Sequence, residues 1–205
     1  MIIMLNLPDG LTRIKMKSKN KIIQIIGVPG SGKDRLTEAL AGEVKTNYMN
    51  FSSIMADCAR QLSINLESQD FESLDRKTRD KIVADSLDFV IKNQPIIINT
   101  HTVYRNKHGL LEINYASEFV LNPLAYIHLF SPPEHIVERI RKDNQSERRT
   151  RNYHTHEISL MQDLSVYSTK RIAELIGSKF FLLRNYDGEI SETVRAGRGI
   201  IESLL

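Results

Sequence analysis

Residues 22–40, IIQIIGVPGSGKDRLTEAL, run an apolar stretch into a glycine-rich turn and then into a helical period. Lys21–Ile26 is apolar at nearly every position, which predicts a strand covered on both faces. Arg35–Val44 carries Leu36, Leu40 and Val44 at intervals of four, the spacing of one helix face. A doubly covered strand needs a layer on each side, so this feature alone points to an α/β fold. Between strand and helix, Gly27, Gly30, Gly32 and Lys33 have the spacing of a phosphate-binding loop. Glycine lets the backbone turn tightly and aim successive N–H groups at phosphate oxygens. The following helix adds its positive end, and Lys33 reaches the β- and γ-phosphates. The last position departs from the pattern: Asp34 stands where such loops carry Ser or Thr. Gly27, Pro29, Gly30, Ser31, Gly32, Lys33, Asp34 and Arg35 are the candidate ATP contacts of this stretch.

The rest of the chain alternates strand and helix signals. Tyr48–Phe51 reads as a second strand, with Ser52 capping a helix that carries Ile54, Cys58 and Leu62 on one stripe. A helix over Leu74–Lys92 places Ile82, Ser86, Phe89 and Val90 inside. Ile96–Asn99 and Ala125–Phe130 read as the next strands, with a loop over 104–114 between them. Ser131-Pro132-Pro133 ends the fourth strand and opens a helix, since proline is accepted in a first turn. A helix over His156–Ile176, with Ile158, Met161, Leu164, Ile172 and Leu175 inward, stops at Gly177. Phe180–Leu183 is the fifth strand, and Ile190–Leu204 closes the chain as a helix. This order predicts three layers around a five-stranded, mostly parallel sheet.

One domain is expected over 16–205, after an N-terminal extension over 1–15 that need not be ordered. No apolar run reaches the roughly 18 residues of a membrane span. A net charge of +3 makes no case for a nucleic-acid partner. Cys58 is the single cysteine, which excludes an internal disulfide and fits a cytoplasmic setting.

Five blocks in order carry a resemblance: IIGVPGSGK, YMNFSSIM (48–55), INTHTV (98–103), LNPLAYIHLF (121–130) and LLRNYDG (182–188). From about Lys21 to Leu204 the chain resembles the archaeal-type adenylate kinases, which transfer a phosphoryl group from MgATP to AMP. The resemblance implies a P-loop kinase fold with a short lid, Mg²⁺ with ATP, and AMP as the nucleoside monophosphate acceptor. It also implies a homo-oligomer, commonly a trimer. Lys33, His101 and two arginines of the basic stretch Arg139–Arg151, Arg139 and Arg149, would then serve the transfer. Asn185 to Gly188 would meet the adenine edge. Asn50, Ser53, Thr100 and His101, with Tyr48 nearby, would border the acceptor.

The departures are specific. Asp34 and Arg35 intervene before the first hydroxyl residue, Thr37. The family's strand-three Asp is Asn99 here, and two acceptor-side arginines fall on Glu72 and Ser86. The carboxylate and the neutral metal ligand have thus changed places, which makes Asp34 and Asn99 a swapped pair expected to face Mg²⁺ directly or through water. The leading expectation is an adenylate kinase-like phosphotransferase. The alternatives are a kinase for another nucleoside monophosphate or small acceptor, or an ATP-binding regulatory module with impaired catalysis.

Overall fold

The structure is a computed structural model that describes residues 3–6, 12–15, 18–66, 71–105, 109–113, 116–144, 153–186 and 190–205. It begins with β1 (Ile3–Asn6) and β2 (Thr12–Lys15), an antiparallel ribbon whose second strand runs beside α6 below. Then come β3 (Asn20–Ile26), α1 (Lys33–Val44), β4 (Asn47–Asn50), α2 (Phe51–Gln61), a 3-10 turn (Phe71–Ser73) and α3 (Arg76–Lys92). β5 (Ile96–Thr100) is followed by the antiparallel hairpin β6 (Val103–Arg105) and β7 (Leu111–Ile113), and by α4 (Ala116–Leu121). The chain ends with β8 (Pro123–Phe130), α5 (Pro133–Asn144), α6 (Thr155–Ile176), β9 (Lys179–Arg184) and α7 (Ile190–Glu202).

Five strands form the central sheet in the order β4-β5-β3-β8-β9. Every neighbouring pair is parallel, so the sheet expected to be mostly parallel is wholly so among the described residues. The isoleucines of β3 explain its central place: Ile22, Ile23, Ile25 and Ile26 are each at most 1% exposed. Burying each such side chain contributes roughly 1.5–3 kcal/mol. Ile23 and Ile25 pack under α1 and α7 with Leu36, Leu40 and Ile201. On the opposite face, Ile22 joins Ile54, Ile82 and Val90 of α2 and α3. Ile26 on that face meets Tyr126, Ile172 and Ala173. From β3 the chain builds first to one side (β4, β5) and then to the other (β8, β9). That reversal leaves a crevice at the carboxyl ends of the strands, where open α/β sheets hold their ligands.

Several local expectations are corrected. Asn50, rather than Ser52, caps α2: its Oδ1 accepts from Ser52 N at 2.9 Å and Ser53 N at 3.3 Å. β4 accordingly stops at Asn50 and Phe51 starts the helix. Phe89 is 41% exposed, because α3 turns Ile82, Ser86, Leu87 and Val90 inward instead. Along α6 Leu164 and Leu175 are half-buried, while Gln162, Ser165, Ser168 and Thr169 are buried. That inward face is polar because it meets polar groups: Thr102 Oγ1 lies 2.8 Å from Thr169 Oγ1, and His128 Nε2 lies 2.9 Å from Ser165 Oγ. The β6–β7 hairpin begins at Val103 and occupies part of the loop expected over 104–114; its three-residue strands are too short to show a period.

Candidate active site

The turn from β3 into α1 depends on glycine twice. Gly30 and Gly32 lie at φ 76° and 91°, the left-handed region that side chains avoid. A Cβ on Gly30 would come within 2.8 Å of Ile140 Cγ1, and one on Gly32 within 2.7 Å of Asn185 Nδ2. Other elements hold the loop's carbonyls from behind. Ser31 O accepts from Asn185 Nδ2 at 2.8 Å, Ser131 Oγ at 3.1 Å and Arg139 Nη1 at 3.2 Å. The same Arg139 nitrogen reaches Gly30 O at 3.2 Å. Ser131 is fixed in turn by Gln162, whose amide accepts from Ser131 N at 3.1 Å and donates to Ser131 O at 2.9 Å. The peptide unit is planar and trans, so drawing Ser31 O back turns the N–H of Gly32 the other way. α1 starts at Lys33, and the first N–H groups of a helix have no acceptor within it.

A cleft of about 510 Å³ opens beside the loop, a volume suited to a small ligand. Pro29, Gly30, Gly32, Lys33, Asp34 and Arg35 line it from the loop and α1. Asn50, Asn99, His101 and Arg139 line it from other elements, so the structure gathers ten residues singled out in the sequence around one space. Ser52, Ile140 and Asp143 join them without having been expected. Asp34 and Asn99 do meet: Asp34 Oδ1 accepts from Asn99 Nδ2, and from Asn50 Nδ2 at 3.1 Å. Tyr48 completes the group, with its hydroxyl 3.5 Å from Asn99 Nδ2. Burial, and then the negative charges of Asp34 and Glu38, push that hydroxyl's pKa up. Thr37 cannot replace the missing loop hydroxyl, because its Oγ1 donates to Lys33 O at 2.6 Å inside α1.

Magnesium takes hard oxygens, usually one or two carboxylates beside phosphate and water. Two carboxylates line the cleft, Asp34 and Asp143, and Asp34 Oδ2 accepts no hydrogen bond among the described residues. No group of three or more His, Cys, Asp or Glu gathers among the described residues. This donor set fits a cation held chiefly by phosphate and water.

The remaining candidates lie around or behind the cleft. His101 Nδ1 is 3.0 Å from Gly27 O. A carbonyl can only accept, so Nδ1 carries a proton. Gly27, Ser31 and Asn185 shape the loop from below, and a Cβ on Gly27 would fall 2.6 Å from Ser31 Oγ. The backbone N–H of Asn185 is engaged by Phe130 O at 2.8 Å and its side-chain amide by Ser31 O, which leaves neither directed at an adenine edge. Thr100 is buried, with Oγ1 donating to Gln24 Oε1 at 2.8 Å in the core. Ser53 touches the site through its backbone, donating to Asn50 Oδ1. Ser86 faces the core and its Oγ donates to Ile82 O at 2.7 Å. Arg149 and Gly188 lie outside the described residues, as does the side chain of Glu72.

A buried polar pair lies under the site. Gln24, in the middle of β3, donates Nε2 to Glu118 Oε2 at 2.7 Å, and Tyr126 OH donates to the same oxygen at 3.0 Å. Burial pushes the Glu118 carboxyl up to about 7 despite those two donors, and burial beside Glu118 pushes Tyr126 up as well. Across the same face, burial brings the His128 imidazole down to about 4.

A family model described as an AAA domain matches residues 26–157, from the end of β3 to the start of α6. The chain belongs to that AAA-domain family. The match contains every residue that lines the cleft. This AAA-domain chain is also 26% identical to the adenylate kinase of Pyrococcus horikoshii over 133 residues, 62% of this chain and 68% of that protein. A Methanothermobacter thermautotrophicus protein named adenylate kinase homolog is 23% identical over 188 residues, 92% of this chain and 96% of its own. Among solved structures, shikimate kinase from Acinetobacter baumannii in complex with shikimate superposes with a TM-score of 0.60 at 11% identity, covering 89% of this chain and 93% of that one. A gluconokinase from Sinorhizobium meliloti gives 0.52 at 15%, covering 91% and 95%. The AAA-domain chain thus shares the three-layer α/β fold of these kinases. No helix among the described residues is long and apolar enough to cross a membrane.

Proposed function

We propose that the protein is an adenylate kinase-like phosphotransferase that moves the γ-phosphoryl group of MgATP directly to a nucleoside monophosphate, AMP first among them. The observation that carries this reading is the braced loop. Its carbonyls are tied back by Arg139, Asn185 and Ser131, while Lys33 and the start of α1 face the cleft. That arrangement is made for a polyphosphate. The relatives named for adenylate kinase activity, one of them matching nearly the whole chain, support AMP as the acceptor.

In this reading an acceptor oxygen attacks the γ-phosphorus and the bond to the β–γ bridging oxygen breaks, with ADP leaving. The protein contributes position and charge rather than covalent chemistry. Lys33 and the Gly32 N–H hold phosphate oxygens, and Arg139 adds charge at the loop. His101, anchored on Gly27 O through Nδ1 and lining the cleft, orients the acceptor. Asp34 would hold Mg²⁺, with Asn99 supporting the carboxylate, and the ion would supply neutralising charge to the polyphosphate. Arg149, a homotrimeric assembly and a cytoplasmic setting belong to the same proposal.

A second reading keeps the donor and changes the acceptor to a small polyhydroxy compound. It is favoured by the neutral side chains of Ser52 and Asn99 beside the Asp34 carboxylate, which suit hydroxyl groups better than a phosphate. One coupled assay separates the readings: AMP, CMP, UMP, GMP, dTMP, shikimate and gluconate, each with ATP, in Mg²⁺ and in EDTA. AMP turnover well above the other acceptors, and only with Mg²⁺, is expected. Turnover confined to a polyol moves the assignment to the second reading. ATP binding without transfer to any acceptor makes the protein a binding module.

A further inference from the structure

A carboxylate on the first turn after a phosphate loop is a liability, since it faces the charge the loop is built to hold. The structure shows how that charge is managed. Both amides that reach Asp34 donate to the same oxygen, Oδ1, one from Asn50 at the end of β4 and one from Asn99 near the end of β5. Asn50 is used at both ends. Its Oδ1 caps α2 through Ser52 N at 2.9 Å and Ser53 N at 3.3 Å, and its Nδ2 holds Asp34 at 3.1 Å. The amide orientation is forced, because an oxygen turned toward the Asp34 carboxylate would be repelled. A single side chain therefore welds the first turn of α2 to the first turn of α1. It draws the Asp34 carboxylate toward the β4–β5 side of the loop and leaves Oδ2 unbonded among the described residues.

We propose that Asn50 is a positioning residue that acts through Asp34: by partly neutralising and aiming that carboxylate, it sets how strongly the site's hold on nucleotide depends on a divalent cation. The inference rests on the proposed nucleotide site and adds to it a residue that acts without touching the phosphates. With Mg²⁺ present, the cation itself orients and neutralises Asp34, and Asn50 matters little. Without the cation, the two amides are what softens the Asp34 carboxylate itself.

The test is calorimetric binding of ATP to the full chain, in EDTA and in Mg²⁺, for the wild type, N50S, D34N and the double variant. Serine caps a helix about as well as asparagine but is too short to reach Asp34, so N50S should melt close to the wild type. In EDTA, N50S should bind ATP about tenfold more weakly, the worth of one hydrogen bond to a charged group. In Mg²⁺ the change should stay within about twofold. In the D34N background the same substitution should do nothing in either buffer, because there is no charge left to hold. N50D keeps the cap and sets a second carboxylate against Asp34, so it should enlarge the difference between EDTA and Mg²⁺. Equal losses in EDTA and Mg²⁺, or the same loss with and without the Asp34 carboxylate, would overturn the proposal while leaving the nucleotide site standing. A wild-type chain that takes up no ATP in either buffer removes the nucleotide site itself, and this inference with it.

Discussion

Replacing Glu118 by Gln should change how the stability of this fold depends on pH, by an amount the buried pair under the site allows one to work out. In the folded protein the Glu118 carboxyl is pushed up to about 7 from an ordinary 4.5. Between those values the folded carboxyl keeps its proton while the unfolded one has lost it. Stability present below 4.5 is therefore lost as pH rises through about 7. At about 1.4 kcal/mol for each pH unit, the loss totals ~3 kcal/mol. His128 runs the other way. Its imidazole is brought from 6.5 down to about 4, so stability present above 6.5 is lost as pH falls toward about 4, again ~3 kcal/mol. The windows overlap, and in the wild type the contributions nearly cancel between about pH 5 and pH 7. E118Q keeps the shape and an oxygen to accept from Gln24 and Tyr126 but cannot titrate, so it exposes the His128 slope. Urea unfolding followed by circular dichroism should show E118Q gaining about 2 kcal/mol relative to the wild type from pH 5 to pH 7. H128Q should show a relative loss of similar size. If the E118Q and wild-type profiles run parallel, Glu118 does not hold its proton in the folded core and the reasoning fails.

Two further substitutions probe the loop and its brace. G32A places a side chain at φ 91° and within 2.7 Å of Asn185 Nδ2; it should cost about 1–2 kcal/mol in unfolding and weaken MgATP binding at least about tenfold, and unchanged binding would show that the loop's shape is not what holds nucleotide. Q162L strips both hydrogen bonds from the Ser131 backbone. It should cost about 1–3 kcal/mol for each orphaned group and raise the Kd for MgATP, so a lowered Tm with an unaltered Kd would mean that the brace serves stability alone.

The site was half legible before folding. Glycine spacing, Lys33 and the apolar run before them are local features, and each appears where the spacing put it. Asp34 and Asn99 could be paired from a resemblance, and they lie in contact. Asn50 was singled out only as an acceptor contact. Its grip on Asp34 joins positions sixteen residues apart, through strand neighbours that no local pattern reveals. Gln162 was hidden more deeply, as a polar residue on a helix face expected to be apolar, yet it fixes Ser131 thirty-one residues away. Thr100 misled for the opposite reason: a polar side chain beside motif residues turned out to face the core. One sign was there to be read. A glutamine in the midst of IIQII can be buried only with a partner, and Glu118 is that partner.

What the sequence determined by itself was the layered α/β plan and the phosphate loop, because both arise from periodicity and from backbone freedom within a few residues. Which carbonyls are tied back, which amides aim Asp34 and which polar groups pair inside the sheet were decided only when β4, β5, β8 and α6 came together around β3. Hydrogen bonds between distant segments exist only once packing has removed water from both partners.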